Sequence, residues 1–185
     1  MFTKNNLRKR FIKIRKKKYF EVKKKYFLPI INLIKKNFGN KTFYLSIYFP
    51  INNEVNALNL IKSYKIKKMS SLIPTIKNNE MKFYRWEAGD PLIINKFGIP
   101  EPVIKKKEYV PDIILLPLLA YDKNRNRLGY GKGYYDRFLK KYERKKKIIT
   151  VGLAFSFQKY NKLPTSNYDM SLDYIINEKG LIWIF

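Results

Sequence analysis

The sequence contains no cysteine and no histidine. Without cysteine the chain has no disulfide framework, no thiol nucleophile and no thiolate metal ligand. Without histidine it forms no Ser-His or Cys-His catalytic pair, and any metal ion must be bound by oxygen atoms, which favours ions of the Mg²⁺ type. These absences narrow the chemistry to oxygen-ligated metals and to reactions that need neither a thiol nor an imidazole.

Acidic residues are scarce, since 14 Asp and Glu stand against 40 Lys and Arg and the formal net charge is +26. Such a charge favours polyanionic partners, nucleic acid among them. The alternative is a compositional bias, because Lys, Asn, Ile, Tyr and Phe, which share AT-rich codons, are abundant along the whole chain. Lysine supplies most of the charge, whereas base readout prefers arginine. We therefore expect no specific nucleic-acid partner.

No hydrophobic run reaches the length of a membrane span. The basic N-terminus contains no apolar segment of the signal-peptide type. We expect a cytoplasmic monomer that does not associate with membranes. With 185 residues, of which 45% are hydrophobic, the chain is long enough for a substantial core. We expect one domain over residues 1–185.

Short apolar stretches alternate with helical patterns along the chain. Helices are predicted at residues 4–27, 30–38, 54–64 and 136–142. Strands are predicted at residues 42–49, 69–74, 81–86, 113–120, 147–155, 172–176 and 181–185. This alternation predicts an α/β fold of three layers, in which helices cover both faces of a largely parallel, open, Rossmann-like sheet.

Residues 87–110 are rich in glycine and proline, have little periodicity and predict a long loop. Loops of this length are often functional or lid-like. Trp86 and Phe97 border and occupy this segment. Both suit either the core or the flank of a flat ligand, and the core is the default for large aromatic side chains.

The most informative stretch is residues 111–139. Ile113 to Ala120 has the length and composition of a buried strand, and a polar turn follows it. Gly129, Gly131 and Gly133 then alternate with other residues until a helical pattern begins near Tyr134. A glycine loop that leads into a helix presents backbone N–H groups and the positive end of the helix dipole to an anion.

Two cationic residues, Arg127 and Lys132, lie on or next to this loop. The pattern therefore predicts a polyphosphate site. It is neither a Walker A loop nor the dinucleotide fingerprint, and alternating glycines also suit a flexible hairpin that precedes an ordinary helix.

The full string Arg127-Leu128-Gly129-Tyr130-Gly131-Lys132-Gly133-Tyr134-Tyr135-Asp136-Arg137 resembles the signature of the 5-formyltetrahydrofolate cyclo-ligases, also called methenyltetrahydrofolate synthetases. Further segments are similar to the family's pattern in the same order. These are Lys4-Asn5-Asn6-Leu7-Arg8, Tyr48 to Glu54, Gly98-Ile99-Pro100-Glu101-Pro102 and Val151 to Phe155 with Asp169. The resemblance implies a cyclo-ligase type of α/β fold. It also implies ATP-dependent closure of 5-formyltetrahydrofolate to 5,10-methenyltetrahydrofolate, with release of ADP and phosphate, through a phosphorylated formyl group (an iminium phosphate).

The resemblance also implies site residues, with ATP as co-substrate and Mg²⁺ as cofactor. Lys132 and Arg127 would be the catalytic cations. Residues expected to bind ATP are Lys4, Arg8, Arg127, Leu128, Gly129, Tyr130, Gly131, Lys132, Gly133, Tyr134 and Tyr135. Residues expected to bind the folate, with or without a polyglutamate tail, are Phe49, Glu54, Tyr130 and Tyr134. The expected metal ligands are Asp136 and Asp169.

Simpler interpretations stay open for several of these residues. Asp136 also suits the capping of a helix N-terminus, and Asp169 suits a turn. Lys4 and Arg8 also suit a solvated helix face. Asp122 is better explained by an Asx turn than by ligand binding. Two other functions remain alternatives. One is another ATP- or phosphate-handling enzyme on a similar scaffold, because a fold does not fix a function. The other is a basic nucleic-acid-binding protein, which depends on the net charge alone.

Overall fold

The computed structural model of the protein describes residues 3–96, 98–103 and 107–182. Its α-helices are α1 (Lys4–Lys18), α2 (Leu28–Phe38), α3 (Leu58–Ser63) and α4 (Tyr134–Tyr142). The strands of the first half are β1 (Phe43–Ser46), β2 (Met69–Lys77), β3 (Glu80–Arg85), β4 (Leu92–Ile94) and β5 (Pro100–Pro102). The strands of the second half are β6 (Ile113–Pro117), β7 (Ala120–Tyr121), β8 (Arg127–Leu128), β9 (Ile149–Leu153), β10 (Tyr174–Asn177) and β11 (Gly180–Ile182).

One seven-stranded sheet, with the strand order β11-β10-β9-β6-β1-β2-β3, forms the centre of the fold. The five inner strands are parallel to one another, and the edge strands β3 and β11 pair antiparallel with β2 and β10. The pairs β4–β5 and β7–β8 form two small antiparallel hairpins outside this sheet. The prediction of a largely parallel open sheet is confirmed.

Helices cover both faces of the sheet, as predicted. Side chains alternate between the two faces of a strand, so neighbours in β6 contact different layers. Leu115 packs with residues of α2 and α3, whereas Leu116 packs with Phe138 and Leu139 of α4. Burial on both faces explains why β6 reads as a continuous apolar run rather than an alternating one.

Helix α1 lies over the end of the sheet where β6 stops. Leu7 and Phe11 on its apolar face pack against Leu119, Ala120 and Leu128 of the β7–β8 region. The Thr3 side chain caps the helix, because its hydroxyl accepts a hydrogen bond from the Asn6 backbone N–H. This packing places the first turn of α1 above the segment that follows β8.

The first predicted helix was too long, since α1 ends at Lys18 instead of continuing to residue 27. Tyr19 and Phe20 both contact the ring of Phe155. Consecutive side chains of a helix point 100° apart and do not readily contact the same ring, so the chain leaves the helix here. A short 3₁₀ helix (Lys24–Phe27) then leads directly into α2, which carries Pro29 in its first turn.

Other predicted elements differ from the structure or lie partly outside the described residues. The predicted strand 113–120 ends at Pro117, and the chain then turns into the β7–β8 hairpin. The predicted loop 87–110 contains the β4–β5 hairpin, while Phe97 lies outside the described residues. The predicted strand 181–185 is described only as far as Ile182. None of the helices in the described ranges is both long enough and apolar enough to span a membrane.

Candidate active site

A cavity of about 470 Å³ opens where β1, β2 and β6 end. Its walls come from α1, from the residues after β1, from β2, from the β4–β5 hairpin and from the segment between β8 and α4. A volume of this size is typical of small-molecule sites. Ligands of open α/β sheets bind beyond the carboxyl ends of the strands, which is where this cavity lies.

Every site residue predicted from the sequence lines this one cavity. They are Lys4, Arg8, Phe49, Glu54, Arg127, Leu128, Gly129, Tyr130, Gly131, Lys132, Gly133, Tyr134, Tyr135, Asp136 and Asp169. The fold thus brings together side chains from positions 4 to 169 of the sequence. The individual roles of these residues stay predictions.

Two arginines hold the glycine loop (residues 129–133) in place. The Arg8 Nε donates a hydrogen bond of 2.9 Å to the Gly129 carbonyl, and an Nη of Arg137 donates one of 2.8 Å to the Lys132 carbonyl. Gly131 has φ +98°, which disfavours any other residue, and a Cβ there would lie 2.9 Å from the Arg8 Cζ. The loop therefore needs glycine both for its backbone conformation and for the close approach of Arg8.

The glycine loop follows the β7–β8 hairpin, not β6 directly as the sequence had suggested. Gly133, with φ +64°, is the residue before the first turn of α4. The loop therefore still leads into a helix N-terminus, where unpaired N–H groups and the helix dipole favour an anion.

Two ion pairs bring cations and carboxylates together in the cavity. Lys4 Nζ lies 2.5 Å from Asp169 Oδ2, and an Nη of Arg127 lies 2.8 Å from Asp136 Oδ1. Burial alone would raise the pKa of Asp169, but hydrogen bonds from Lys4 and Ser166 outweigh burial and lower it. Asp169 is therefore ionised at neutral pH.

The hydrogen bonds of Asp136, Asp169 and Asp122 show which of them cap a helix or stabilise a turn. Asp136 does not act as the N-cap of α4, because its Oδ1 accepts hydrogen bonds from Arg127 and from the Met170 backbone N–H. Asp169 does stabilise a turn, since its Oδ2 accepts from the backbone and hydroxyl of Ser166. Asp122 forms the predicted Asx turn through hydrogen bonds from residues 124 and 126.

The carboxylates of the cavity suit a hard cation that is shared with a phosphate. The described part of the chain holds no group of three or more acidic, histidine or cysteine side chains that would bind a metal alone. Mg²⁺, however, is usually bound through one or two carboxylates together with phosphate oxygens. The hydrogen bonds that described residues give to Asp136 reach Oδ1 and those given to Asp169 reach Oδ2, so each carboxylate has a second oxygen for a ligand.

Glu54 is a buried carboxylate in the wall of the cavity. It does not lie in a helix as predicted, because α3 begins only at Leu58 and Glu54 closes a turn in which Asn52 and Asn53 have positive φ. Glu54 is 3% exposed, and its Oε2 accepts a 2.9 Å hydrogen bond from the Ile51 N–H. Oε1 is buried and accepts no hydrogen bond from the described residues.

Burial raises the pKa of Glu54 to about 7, although the Ile51 hydrogen bond and the charge of Arg15 oppose this rise. Near neutral pH the side chain is therefore both an acceptor and a proton carrier. Phe49, Ile73 and Met81 line the same cavity and provide apolar walls. Trp86 is buried and packs against the ring of Phe49 at 5.5 Å between centroids, so it belongs to the core that supports this wall.

Sequence reasoning missed Arg15, which is 1% exposed and contacts Tyr130 behind the cavity. A signal was present, because Leu7, Phe11 and Arg15 follow each other at intervals of four along one face of a helix. An arginine at an apolar position of an amphipathic helix indicates a buried, paired guanidinium.

Comparisons with known proteins support the resemblance drawn from the glycine loop. The model of the 5-formyltetrahydrofolate cyclo-ligase family matches residues 3–178. The chain therefore belongs to this family. The 5-formyltetrahydrofolate cyclo-ligase of Haemophilus influenzae is 34% identical over 135 residues, which cover 69% of this chain and 72% of that protein. The Mus musculus 5-formyltetrahydrofolate cyclo-ligase is 42% identical over 147 residues, 72% of each chain.

Solved structures of similar proteins share the fold. The NMR structure of the Aquifex aeolicus 5,10-methenyltetrahydrofolate synthetase matches with a TM-score of 0.76 and 32% identity, over 97% of this chain and 92% of that one. The 5,10-methenyltetrahydrofolate synthetase from Mycoplasma pneumoniae matches with a TM-score of 0.72 and 27% identity, over 96% and 99% of the two chains. The predicted fold class and the predicted enzyme class are both confirmed.

Proposed function

We propose that the protein converts 5-formyltetrahydrofolate to 5,10-methenyltetrahydrofolate with ATP and Mg²⁺, and releases ADP and phosphate. One observation carries this proposal. A single cavity combines a glycine loop and cationic side chains with a buried carboxylate and apolar walls. That arrangement suits a polyphosphate next to a flat ring system with N–H donors.

The reaction needs activation of an amide oxygen, which is a poor leaving group. Transfer of the γ-phosphoryl group from ATP to the formyl oxygen gives an iminium phosphate. N10 of the folate then attacks the formyl carbon and loses its proton, and the C–O bond breaks as phosphate leaves. Enzymes of this type act by positioning the reactants and neutralising charge. A chain without cysteine and histidine is suited to such a reaction.

The glycine loop and the cationic side chains that line the cavity supply hydrogen-bond donors and positive charge. The backbone N–H groups of residues 129–133 are proposed to bind the triphosphate, and Lys132 and Arg127 to neutralise the transferred group. Lys4 and Arg8 contribute from the first turns of α1. Among the described residues, these four cations line the cavity together with the carboxylates of Glu54, Asp136 and Asp169.

Asp136 and Asp169 are the proposed ligands of Mg²⁺. When bound, Mg²⁺ neutralises phosphate charge and fixes the orientation of the triphosphate. In the protein without ATP, Arg127 and Lys4 pair with these aspartates. Phosphate oxygens offer the two cations alternative partners, which would free the carboxylates to bind the metal.

The folate is proposed to bind beside Glu54 and the apolar walls of the cavity. The Glu54 oxygen that accepts no hydrogen bond from described residues is suited to an N–H donor of the pterin. Phe49, Tyr130 and Tyr134 are proposed to contact the ring system. We propose that the protein acts as a monomer on folates with or without a polyglutamate tail.

Formation of methenyl product tests the proposed function. The protein is mixed with 5-formyltetrahydrofolate, MgCl₂ and ATP, and the methenyl chromophore is followed together with ADP. The expected result is one ADP for each methenyl product and no reaction when ATP or Mg²⁺ is omitted. ATP binding without methenyl product would overturn the proposal in favour of another ATP-dependent reaction on the same fold.

A further inference from the structure

Arg15 is a charged side chain buried behind the cavity. It lies on the apolar face of α1 after Leu7 and Phe11 and is 1% exposed. A buried guanidinium is costly unless it is paired and hydrogen-bonded. Its contacts therefore indicate why the chain holds a cation at this position.

The guanidinium of Arg15 joins the sheet to the glycine loop. One Nη donates a 3.1 Å hydrogen bond to the Leu118 carbonyl, and the other donates to the Tyr130 hydroxyl. The Arg15 Cζ also lies 5.7 Å from the centroid of the Tyr130 ring. Tyr130 lines the cavity, whereas Arg15 does not. Any effect of Arg15 on a ligand must therefore pass through Tyr130, through the charge of Arg15 or through the position of α1.

The direction of the hydrogen bond matters for Tyr130. A guanidinium only donates, so the Tyr130 oxygen accepts from Arg15 and the phenol proton is left for another acceptor. The Tyr130 hydroxyl also acts on Glu54, whose pKa it lowers. Burial and the charge of Glu54 raise the pKa of Tyr130 to about 12, so the hydroxyl keeps its proton at neutral pH. Arg15 thereby fixes Tyr130 as a hydrogen-bond donor at the wall of the cavity.

The charge of Arg15 also acts on Glu54. Ionisable groups from several elements face this carboxylate, namely Arg15 on α1, Tyr48 after β1, Tyr130 on the glycine loop and Tyr135 on α4. Arg15 is the cation among these groups. It opposes the effect of burial and so favours ionised Glu54.

We propose that Arg15 is a positioning residue of the folate site: it orients the Tyr130 hydroxyl and maintains Glu54 as an acceptor for the ligand. The proposal rests on the proposed function, because it assigns Glu54 and Tyr130 to folate binding. Arg15 also fastens α1 through Leu118. A purely structural anchor would act on Lys4 and Arg8, which lie on the same helix, and would therefore affect ATP binding instead.

The test compares the variants Arg15→Met, Arg15→Lys and Tyr130→Phe by steady-state kinetics for both substrates across pH. Arg15→Met is expected to raise KM for 5-formyltetrahydrofolate about tenfold, as for the loss of one charge-assisted hydrogen bond, and to change KM for ATP less than about twofold. Its acid limb of kcat/KM should move to higher pH by about 0.5 to 1 unit, because removing the cation raises the pKa of Glu54.

Two further variants separate positioning from anchoring. Arg15→Lys keeps the charge and should restore the acid limb, but it lacks the planar fork and should keep a raised KM for the folate. Phe11→Leu loosens α1 against Tyr160 and leaves the Arg15 and Tyr130 side chains unchanged, so it should raise KM for ATP and leave the acid limb in place. In the Tyr130→Phe background, Arg15→Lys should add nothing to KM for the folate.

The outcomes separate the inference from the proposed function. An inactive wild-type protein overturns the proposed function, and the inference falls with it. If the wild-type protein is active, the Arg15 variants decide. The inference alone is overturned if these variants behave like Phe11→Leu, with an unmoved acid limb and a raised KM for ATP. If Arg15→Met does not fold, a double-mutant cycle of Arg15→Lys and Tyr130→Phe takes its place. The inference is overturned if the two substitutions change KM for the folate additively.

Discussion

Lys4 Nζ lies 2.5 Å from Asp169 Oδ2, although 165 positions separate the two residues in the sequence. The pair connects the first turn of α1 with the loop before β10. Both side chains are partly exposed, at 30% and 26%, and exposed ion pairs contribute little to stability. The consequence of the contact is local: it places a cation and a carboxylate side by side in the wall of the cavity.

Asp169→Asn is expected to weaken the dependence of ATP binding on Mg²⁺. The amide still accepts hydrogen bonds but lacks the charge that a hard cation prefers, so the Mg²⁺ concentration needed for half-maximal ATP binding should rise about tenfold. Calorimetric titration of ATP at several Mg²⁺ concentrations measures this without turnover. The control is Glu143→Gln, which removes an exposed ion pair with Lys140 outside the cavity. An unchanged Mg²⁺ titration would remove Asp169 from the metal site.

Lys132→Ala should abolish most of the turnover and leave the fold intact. Lys132 is exposed on the glycine loop, so its side chain contributes little to packing, whereas loss of a cation at a transferring phosphoryl group lowers kcat about 10²- to 10³-fold. The matched control is Lys123→Ala, at an exposed position in the turn between β7 and β8 that does not line the cavity. A wild-type kcat in the Lys132 variant would refute its catalytic role.

Gly131→Ala should lose ATP affinity beyond the cost of backbone strain. Forcing an L side chain to φ +98° costs about 1–2 kcal/mol, and the new Cβ would also lie 2.9 Å from the Arg8 Cζ. Gly89→Ala is a matched control, since Gly89 has φ +107° and a Cβ there meets nothing within 4 Å. Both variants should lower Tm, but only the Gly131 variant should bind ATP more weakly. Equal ATP affinity in the two variants would contradict the proposed position of the triphosphate.

Glu54→Gln should stabilise the protein at alkaline pH and impair the reaction. The pKa of Glu54 is about 7 in the folded protein and 4.5 in a model compound, so between these values the folded state binds more protons than the unfolded state. The free energy of unfolding therefore falls as pH rises through this window. The glutamine variant lacks this loss and should be more stable than the wild type by about 1–3 kcal/mol at pH 8.

Urea unfolding at pH 5 and pH 8 measures this difference, which should be much smaller at the lower pH. If ionised Glu54 binds the folate, kcat/KM of the wild type should rise with pH through about 7, and Glu54→Gln should be slow at every pH. If the stability difference is the same at both pH values, burial does not raise the pKa of Glu54 in the folded protein.

The sheet could be predicted from the sequence because its strands are strongly patterned. Ile113 to Pro117 is a continuous apolar run, and that run is buried on both faces between helices. The turn back after Pro117 could not be predicted, because Leu118, Leu119 and Ala120 are equally apolar. All three continue the hydrophobic run. Leu118 still packs in the same cluster as Leu116, whereas Leu119 and Ala120 pack in a different cluster, under α1. Composition alone does not distinguish a strand from the buried turn that follows it.

The cavity was predicted in part, because the glycine loop that lines it is a local feature of the sequence. Gly129 to Gly133 and Asp136 are neighbours in sequence and remain neighbours in the structure. The burial of Glu54 and Arg15 depends on elements far from them in sequence, and no local pattern gives a pKa. Arg15 meets Tyr130 only after 115 positions of chain have folded back.

The central claim is that the triphosphate on the glycine loop phosphorylates the formyl oxygen. The most direct test uses 5-formyltetrahydrofolate that carries a heavy oxygen isotope in its formyl group, with unlabelled ATP and water. Mass spectrometry of the inorganic phosphate after a single turnover should find one heavy oxygen in each molecule of phosphate. Unlabelled phosphate, with the heavy oxygen recovered in water, would contradict the account.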